Sequence, residues 1–227
     1  MRPILGVLAA LVISIPVHAA SLADLSNQDA VGGLKEALVQ GSGKAVSLLG
    51  RENGFFGNPK LKIPLPDALR QAEGAMRLMG MQKQADELVL AMNRAAEQAV
   101  PEAKALLVDA VKKMSVQDAK GILTGGETAA TDYFKRVTSA DLTKRFLPIV
   151  EKATAKVGLA EKYNNIAGRG AQLGLVSAEQ AKIENYVTRK ALDGLFLTIA
   201  EQEKAIRKDP VGAATGIVQK VFGAIGK

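Results

Sequence analysis

Hydrophobic residues recur at three- and four-residue spacing along almost the whole chain, and this periodicity limits the folds open to it more than any other feature. In residues 83–100 the spacing puts Ala85, Leu88 and Met92 on one helix face. Residues 183–207 carry the clearest stripe, with Glu203 and Arg207 expected to pair on its outer face. The sequence therefore predicts an all-α fold, a single-domain multi-helix bundle over residues 20–227.

Capping residues, glycines and prolines mark the expected helix ends. They predict helices over residues 26–49, 66–79, 83–100, 101–114, 115–125, 127–137, 139–157, 183–207 and 210–226. Three irregularities are expected inside this pattern: a break at Gly41-Ser42-Gly43, a kink at Pro148, and a loop or broken helix from Gly168 to Ser177 after a short helical stretch at 159–167. The last helix could pack on the bundle or lie on a membrane surface, and its few charges favour packing.

One segment, residues 51–65, does not follow the helical spacing. It reads RENGFFGNPKLKIPL, with Gly, Asn and Pro punctuation and alternating Leu61, Ile63 and Leu65. We expect a long ordered loop here that could include a short strand or hairpin. Its Phe55-Phe56 pair either forms an exposed binding surface or closes one end of the bundle, and both alternatives stay open at this point.

The N-terminus has the three parts of a cleavable signal peptide. Arg2 supplies a positive charge, residues 4–15 form an uncharged apolar core, and Val17-His18-Ala19 fits a peptidase site. About a dozen apolar residues are too few to span a bilayer, which takes roughly 20. We therefore predict a signal peptide at residues 1–19, cleavage before Ala20, and a soluble periplasmic protein without a lipoprotein cysteine.

Removal of this segment restricts the chemistry of what remains. It takes away His18, the single histidine, and the chain has no cysteine, so catalytic triads, thiolate nucleophiles and His or Cys metal sites are excluded. We expect no catalytic residue, no cofactor and no bound metal. The remaining 29 basic and 23 acidic residues give a net charge of +6. With only three Tyr and six Phe to stack on bases, the basic surface indicates lipid or acidic envelope polymers rather than nucleic acid.

Several polar residues are candidates for binding. Asn93, Arg94 and Glu97 lie within one helical turn and could form a polar cluster that either binds a ligand or fixes the packing. Lys60 lies in the irregular loop. The full set of candidate binding residues is Phe55, Phe56, Lys60, Asn93, Arg94, Glu97 and Tyr133.

Four segments also resemble a family of exported bacterial proteins known as domain of unknown function 4197. They read NGFFGNPKLKIPLPDAL, ADELVLAMNRAAEQAVPEAK, DAVKKMSVQDAKGILTGGETAATDYF and YVTRKALDGLFLTIAEQEKAIRKDP. The resemblance extends over nearly all of residues 25–223. It implies an envelope location and a helical fold, and it brings no catalytic residue or substrate.

Three hypotheses about function follow. The first is a non-enzymatic envelope protein whose helices or Phe55 loop bind another protein or the cell wall. The second is a carrier or sensor of a lipid or another apolar or anionic ligand, held near Arg94 or Lys60. The third is a carboxylate-based hydrolase. A packed interior with exposed apolar residues would favour the first, whereas an enclosed apolar pocket would favour the second.

Overall fold

The computed structural model describes residues 27–174, 177, 181–209 and 216–225. Within those ranges the regular structure is helical and no strand is present, which confirms the all-α prediction. A 3₁₀ turn, Val100–Glu102, joins the fourth and fifth helices. The α-helices are α1 (Asn27–Leu49), α2 (Asp67–Gln71), α3 (Glu73–Leu78), α4 (Gln82–Ala99), α5 (Ala103–Lys113), α6 (Val116–Thr124), α7 (Ala129–Thr154), α8 (Gly158–Gln172), α9 (Ile183–Lys208) and α10 (Gly216–Ile225).

Helix α9 lies at the centre of the bundle and packs against α7, α1 and α4. Its buried side chains point in several directions around the helix axis, as expected for a helix surrounded by others; they include Ile183, Val187, Leu195, Phe196 and Ile199. Helix α4 is amphipathic instead. It buries the predicted stripe of Ala85, Leu88 and Met92 in the core. The rest of its surface is where neighbouring segments can make contact. The bundle thus has one continuous apolar core.

Helix α1 runs without interruption through Gly41-Ser42-Gly43, so the predicted break there is wrong. A glycine inside a helix costs only about 1 kcal/mol relative to alanine, which tertiary packing can offset. Gly41 lies against Ile206 of α9, whose Cδ1 would be 3.4 Å from an added Cβ. The Ser42 hydroxyl donates to the carbonyl of Leu38 at 2.6 Å, so its hydrogen bond is made within the helix.

Three other helix boundaries differ from the predictions. The two helices expected at 127–137 and 139–157 form the single helix α7, with Pro148 on an exposed position where water can satisfy the freed carbonyl. The predicted loop after Gly168 is helical to Gln172 and belongs to α8. Conversely, the helix expected at 66–79 is divided at Ala72 into α2 and α3.

Helix α6 begins where the sequence predicts, because its first turn is capped by two side chains. The Ser115 hydroxyl accepts from the Asp118 N–H at 3.0 Å, and the Asp118 carboxylate accepts from the Ser115 N–H at 3.3 Å. This reciprocal pair is a capping box. Such local signals depend on residues three apart, so they can be read without the tertiary structure.

At the two ends of the chain, only part of the predictions can be compared with the structure. The predicted signal peptide, residues 1–19, lies outside the described residues, as do Ser26 and residues 210–215. Val218, Val221 and Phe222 of α10 are buried, and the helix packs against α1 and α9. Among the described helices, none is long and apolar enough to cross a membrane.

Candidate functional site

The irregular segment at 51–65 is held to the bundle by the carboxylate of Glu97, which is almost fully buried on α4. Glu97 Oε1 accepts from the backbone N–H groups of Phe55 and Phe56, each at 3.0 Å. Its other oxygen, Oε2, accepts from Arg94 Nη1 at 2.5 Å. A carboxylate that accepts three such bonds satisfies donors that would otherwise be buried without partners.

Arg94 extends this network to the beginning of the loop. Its Nη2 donates to Glu52 Oε1 at 3.1 Å and to Asn53 Oδ1 at 3.0 Å. Asn53 has a φ of 64°, a left-handed conformation that asparagine tolerates better than most residues. Arg94 therefore holds in place a tight turn that lies about 40 positions before it in the sequence.

Asn93 holds the second half of the loop in an extended conformation. Its Oδ1 accepts from the N–H of Ile63 at 2.8 Å, and its Nδ2 donates to the carbonyls of Ile63 at 2.9 Å and Val89 at 2.8 Å. The alternation seen in the sequence is real, since Ile63 and Leu65 are buried and Lys62 is exposed. The segment bonds to an amide side chain instead of a neighbouring strand, so no strand or hairpin forms.

The two phenylalanines have different environments. Phe55 is fully buried, and its ring lies so close to Gly194 of α9 that an added Cβ there would be 2.6 Å from the ring. Phe56 is half-buried, with Lys62 Nζ 4.4 Å and Arg94 Cζ 5.7 Å from its ring centroid. Of the two alternatives left open for the pair, packing against the bundle describes Phe55, which belongs to the core, whereas Phe56 keeps part of its ring exposed.

Two of the candidate residues lie apart from this network. Lys60 is exposed, and its ammonium is 3.8 Å from Glu201 Oε1. Tyr133 on α7 donates its hydroxyl to the carbonyl of Ala110 at 2.8 Å, and burial raises the pKa of its phenol. A groove of about 480 Å³, separate from the network around Glu97, is lined by Tyr133, Asp118 and Arg136.

A second groove, of about 340 Å³, lies beside the anchored loop. Its apolar surface comes from Phe56, Pro64, Leu65, Ala85 and Val89. Its polar residues are two cations, Lys62 and Arg70, two acids, Glu73 and Asp86, and Gln82. The Oε1 of Gln82 is buried and has no hydrogen-bond partner among the described residues. We call this feature the loop groove; it is bounded by residues 62–65, α2, α3 and the first half of α4.

Sequence reasoning missed the polar residues of the loop groove because they come from four separate segments. The available signal was the alternation in residues 61–65, which places Lys62 and Pro64 on the outward side. Nothing local predicts that α2 and α3 fold over that side. The candidate residues of the sequence include those that hold the loop, namely Asn93, Arg94 and Glu97, and one that lines the groove, Phe56.

Other buried acids also serve as structural acceptors. Glu203 accepts from the N–H groups of Ala130 and Thr131 at 3.0 and 2.9 Å, at the start of α7, and from Arg207 at 2.9 Å. The predicted Glu203–Arg207 pair forms, but it is buried and not on the outer face. Glu184 accepts from Thr154 and Asn164. In the described part of the chain, no group of three or more acidic residues could hold a metal ion.

The core between α1, α7 and α9 contains a small cavity. Its volume is about 20 Å³, with Leu34, Phe134, Ile199 and Phe222 among its lining residues. That volume suits a single water molecule. An acyl chain or other drug-sized ligand needs several hundred Å³, so this cavity does not accommodate the ligand of a lipid carrier.

Comparison with known proteins gives one match. A family model described as a protein of unknown function, DUF4197, covers residues 24–223. No curated protein and no solved structure matches the chain.

Proposed function

The chain belongs to the family of proteins of unknown function DUF4197, and on that premise we propose that it is a non-enzymatic envelope protein that binds a segment of a partner protein in the loop groove. The envelope location rests on the predicted signal peptide at residues 1–19. The observation that carries the proposal is the groove itself, which combines an apolar floor with charges of both signs.

The chemistry of the groove suits a peptide segment. A pocket of about 340 Å³ falls in the range that ligand sites occupy. Leu65 and Val89 offer apolar contact to a side chain, whereas the charged side chains of the groove can pair with the polar groups of a peptide. Because Glu73 and Asp86 line the groove together with Lys62 and Arg70, a purely anionic ligand would meet repulsion from two carboxylates.

The walls of the groove are held in place before any partner arrives. Asn93 fixes residue 63, Glu97 fixes residues 55 and 56, and the hydroxyl of Tyr186 on α9 donates to the carbonyl of Pro64 at 3.1 Å. A rigid wall lowers the conformational entropy that binding must overcome. Helix α3, which contributes Glu73 to the groove, ends at Leu78; this residue and the following Met79 are exposed by 91% and 66%. Exposed apolar side chains next to a groove are typical of interaction surfaces.

The bonding of the buried acids favours a binding role over a hydrolase. A general acid or base has to reach a substrate. Glu97, Glu184 and Glu203 instead accept hydrogen bonds from backbone or side-chain donors of the bundle. The small volume of the core cavity likewise favours surface binding over a lipid-carrier function.

Site-specific photocrosslinking in cells tests the proposal. A photoreactive residue replaces Lys62 or Arg70 on the groove and, as a matched control, the exposed Lys135 on α7. We expect positions 62 and 70 to crosslink to the same protein and position 135 not to. Val89→Glu, which places a charge on the apolar floor, should abolish that crosslink; because Val89 also packs against the core, cooperative thermal unfolding checks that the variant is folded.

Two results would contradict the proposal. One is the same set of crosslinks from positions 62, 70 and 135, which would indicate random contact. The other is the absence of a specific protein crosslink together with lipid that copurifies in native mass spectrometry, which would favour the carrier hypothesis instead.

A further inference from the structure

Helix α8 exposes a stripe of alternating cationic and apolar residues that the proposed function does not use. Ile166 and Leu173 at its C-terminal end are exposed by 74% and 75%. Lys162 precedes Ile166 by four residues, and Arg169 lies between Ile166 and Leu173. At 100° per residue these four positions fall within about 60° of one another around the helix. We call this set the α8 stripe.

The row that contains the stripe is covered at one end of α8 and exposed at the other. Leu159 and Ala160, in the first turn, are buried, and α8 contacts α4 and α9. At 100° per residue Leu159 lies within about 20° of Ile166, seven residues later, and Leu173 follows after seven more, directly after the last residue of the helix. The bundle therefore covers this row at Leu159 and leaves Ile166 and Leu173 exposed.

The charge around the stripe is positive. Residues 151–174 contain four cations, Lys152, Lys156, Lys162 and Arg169, and two acids, Glu151 and Glu161, for a net charge of +2. Glu161 is rotated by about 100° from Lys162, away from the stripe. A surface with cations and exposed aliphatic side chains in one row matches the chemistry of an anionic lipid bilayer, where the head groups attract the cations and the aliphatic chains enter the interface.

From this arrangement we propose that the α8 stripe docks the protein onto the surface of a membrane that contains anionic phospholipid. Ile166 and Leu173 insert into the head-group boundary, and Lys162 and Arg169 pair with phosphate groups. The binding is peripheral and reversible, because two aliphatic side chains and a few cations bury little area. None of the stripe residues lines the loop groove.

The absence of tryptophan from the chain allows a direct test. In Ile166→Trp and Leu173→Trp a single indole reports on the stripe, and in the control Val116→Trp it reports on an exposed position of α6. On addition of vesicles of phosphatidylglycerol and phosphatidylcholine, we expect a blue shift for the first two variants and none for the control. Vesicles of phosphatidylcholine alone should give no shift.

Cosedimentation with the same vesicles measures the affinity in proteins without the probe. Lys162→Gln with Arg169→Gln should lower the partition coefficient by about 25-fold at low salt, since each cation near the surface contributes roughly a factor of five. Ile166→Ser with Leu173→Ser should lower it by at least about 10-fold. The matched pair Val116→Ser with Leu197→Ser, at two other exposed apolar positions, should leave it unchanged.

The proposal is overturned by any of three results. The parent protein could fail to bind anionic vesicles, the Ile166/Leu173 variant could bind as well as the parent, or light scattering could show that the stripe joins two copies of the chain. Val89→Glu changes a residue of the loop groove and none of the stripe, so the folded variant should bind vesicles as the parent does. The two proposals can therefore fail separately.

Discussion

Glu97→Ala tests whether one buried carboxylate holds the irregular loop to the bundle. The substitution leaves the N–H of Phe55 buried without an acceptor, which costs about 1–3 kcal/mol, and removes the acceptor of the partly buried Phe56 N–H as well. The lost pairing with Arg94 adds no more than about 1 kcal/mol, because the Arg94 side chain is 28% exposed. We expect a total loss of about 2–4 kcal/mol in the free energy of unfolding.

Glu97→Gln separates the two contributions. The Gln side-chain oxygen can still accept from Phe55 and Phe56, whereas its amide nitrogen cannot pair with Arg94. We therefore expect a loss of about 1 kcal/mol for this variant. Urea unfolding followed by circular dichroism measures both differences, and amide hydrogen exchange at Phe55 and Phe56 reports whether the loop opens locally before the bundle unfolds.

Arg94→Met supplies the control for the ion pair. Combined with Glu97→Ala in a double-mutant cycle, it should show a coupling energy of about 1 kcal/mol or less, since most of the Glu97 contribution comes from the backbone donors. The reasoning is refuted if Glu97→Ala and Glu97→Gln have equal effects, or if Glu97→Ala costs less than about 1 kcal/mol and leaves exchange at Phe55 and Phe56 unchanged.

Three other predictions concern the core, one helix cap and the N-terminus. Gly194→Ala should destabilise the protein by about 1–3 kcal/mol in urea unfolding, because the new methyl group meets the Phe55 ring at 2.6 Å, and Phe55→Leu should restore part of that loss. Asp118 has a pKa below its ordinary value of 3.8, chiefly because Ser115 hydrogen-bonds its carboxylate. The ionised Asp118 carboxylate therefore contributes fully to the free energy of unfolding above pH 3.8, and this contribution is lost as the pH falls through the lower pKa of the folded state. Unfolding followed against pH should therefore show a smaller loss of stability in acid for Asp118→Asn than for the parent protein. Mass spectrometry of the protein recovered from cells should find an N-terminus at Ala20.

Each of these predictions has a control or a contrary outcome. Gly43→Ala in α1, where nothing lies within 4 Å of the added Cβ, should instead stabilise the protein by about 1 kcal/mol. Equal destabilisation by the two glycine substitutions would contradict the close contact at Gly194. Identical acid unfolding of Asp118→Asn and the parent would contradict the cap, and an intact Met1 in the recovered protein would contradict cleavage.

The helical class and several helix ends could be predicted because they depend on neighbours in sequence. Spacing of three and four residues determines which face of α4 is apolar, and the box of Ser115 and Asp118 fixes the start of α6 within one turn. The irregular loop was also predictable, since its Gly, Asn and Pro residues oppose a helix. These statements require no knowledge of what packs against what.

The tertiary structure decided the continuity of the helices and the composition of the site. Gly41 stays helical because Ile206, 165 positions later in the sequence, packs beside it. Phe55 is buried because α9 carries a glycine at position 194, and Glu97 becomes an anchor because residues 55 and 56 reach it across about 40 positions. Each contact depends on how the helices assemble. The sequence alone indicates Asn93, Arg94 and Glu97 as a cluster, whereas the groove beside them exists only once the bundle brings four separate segments together.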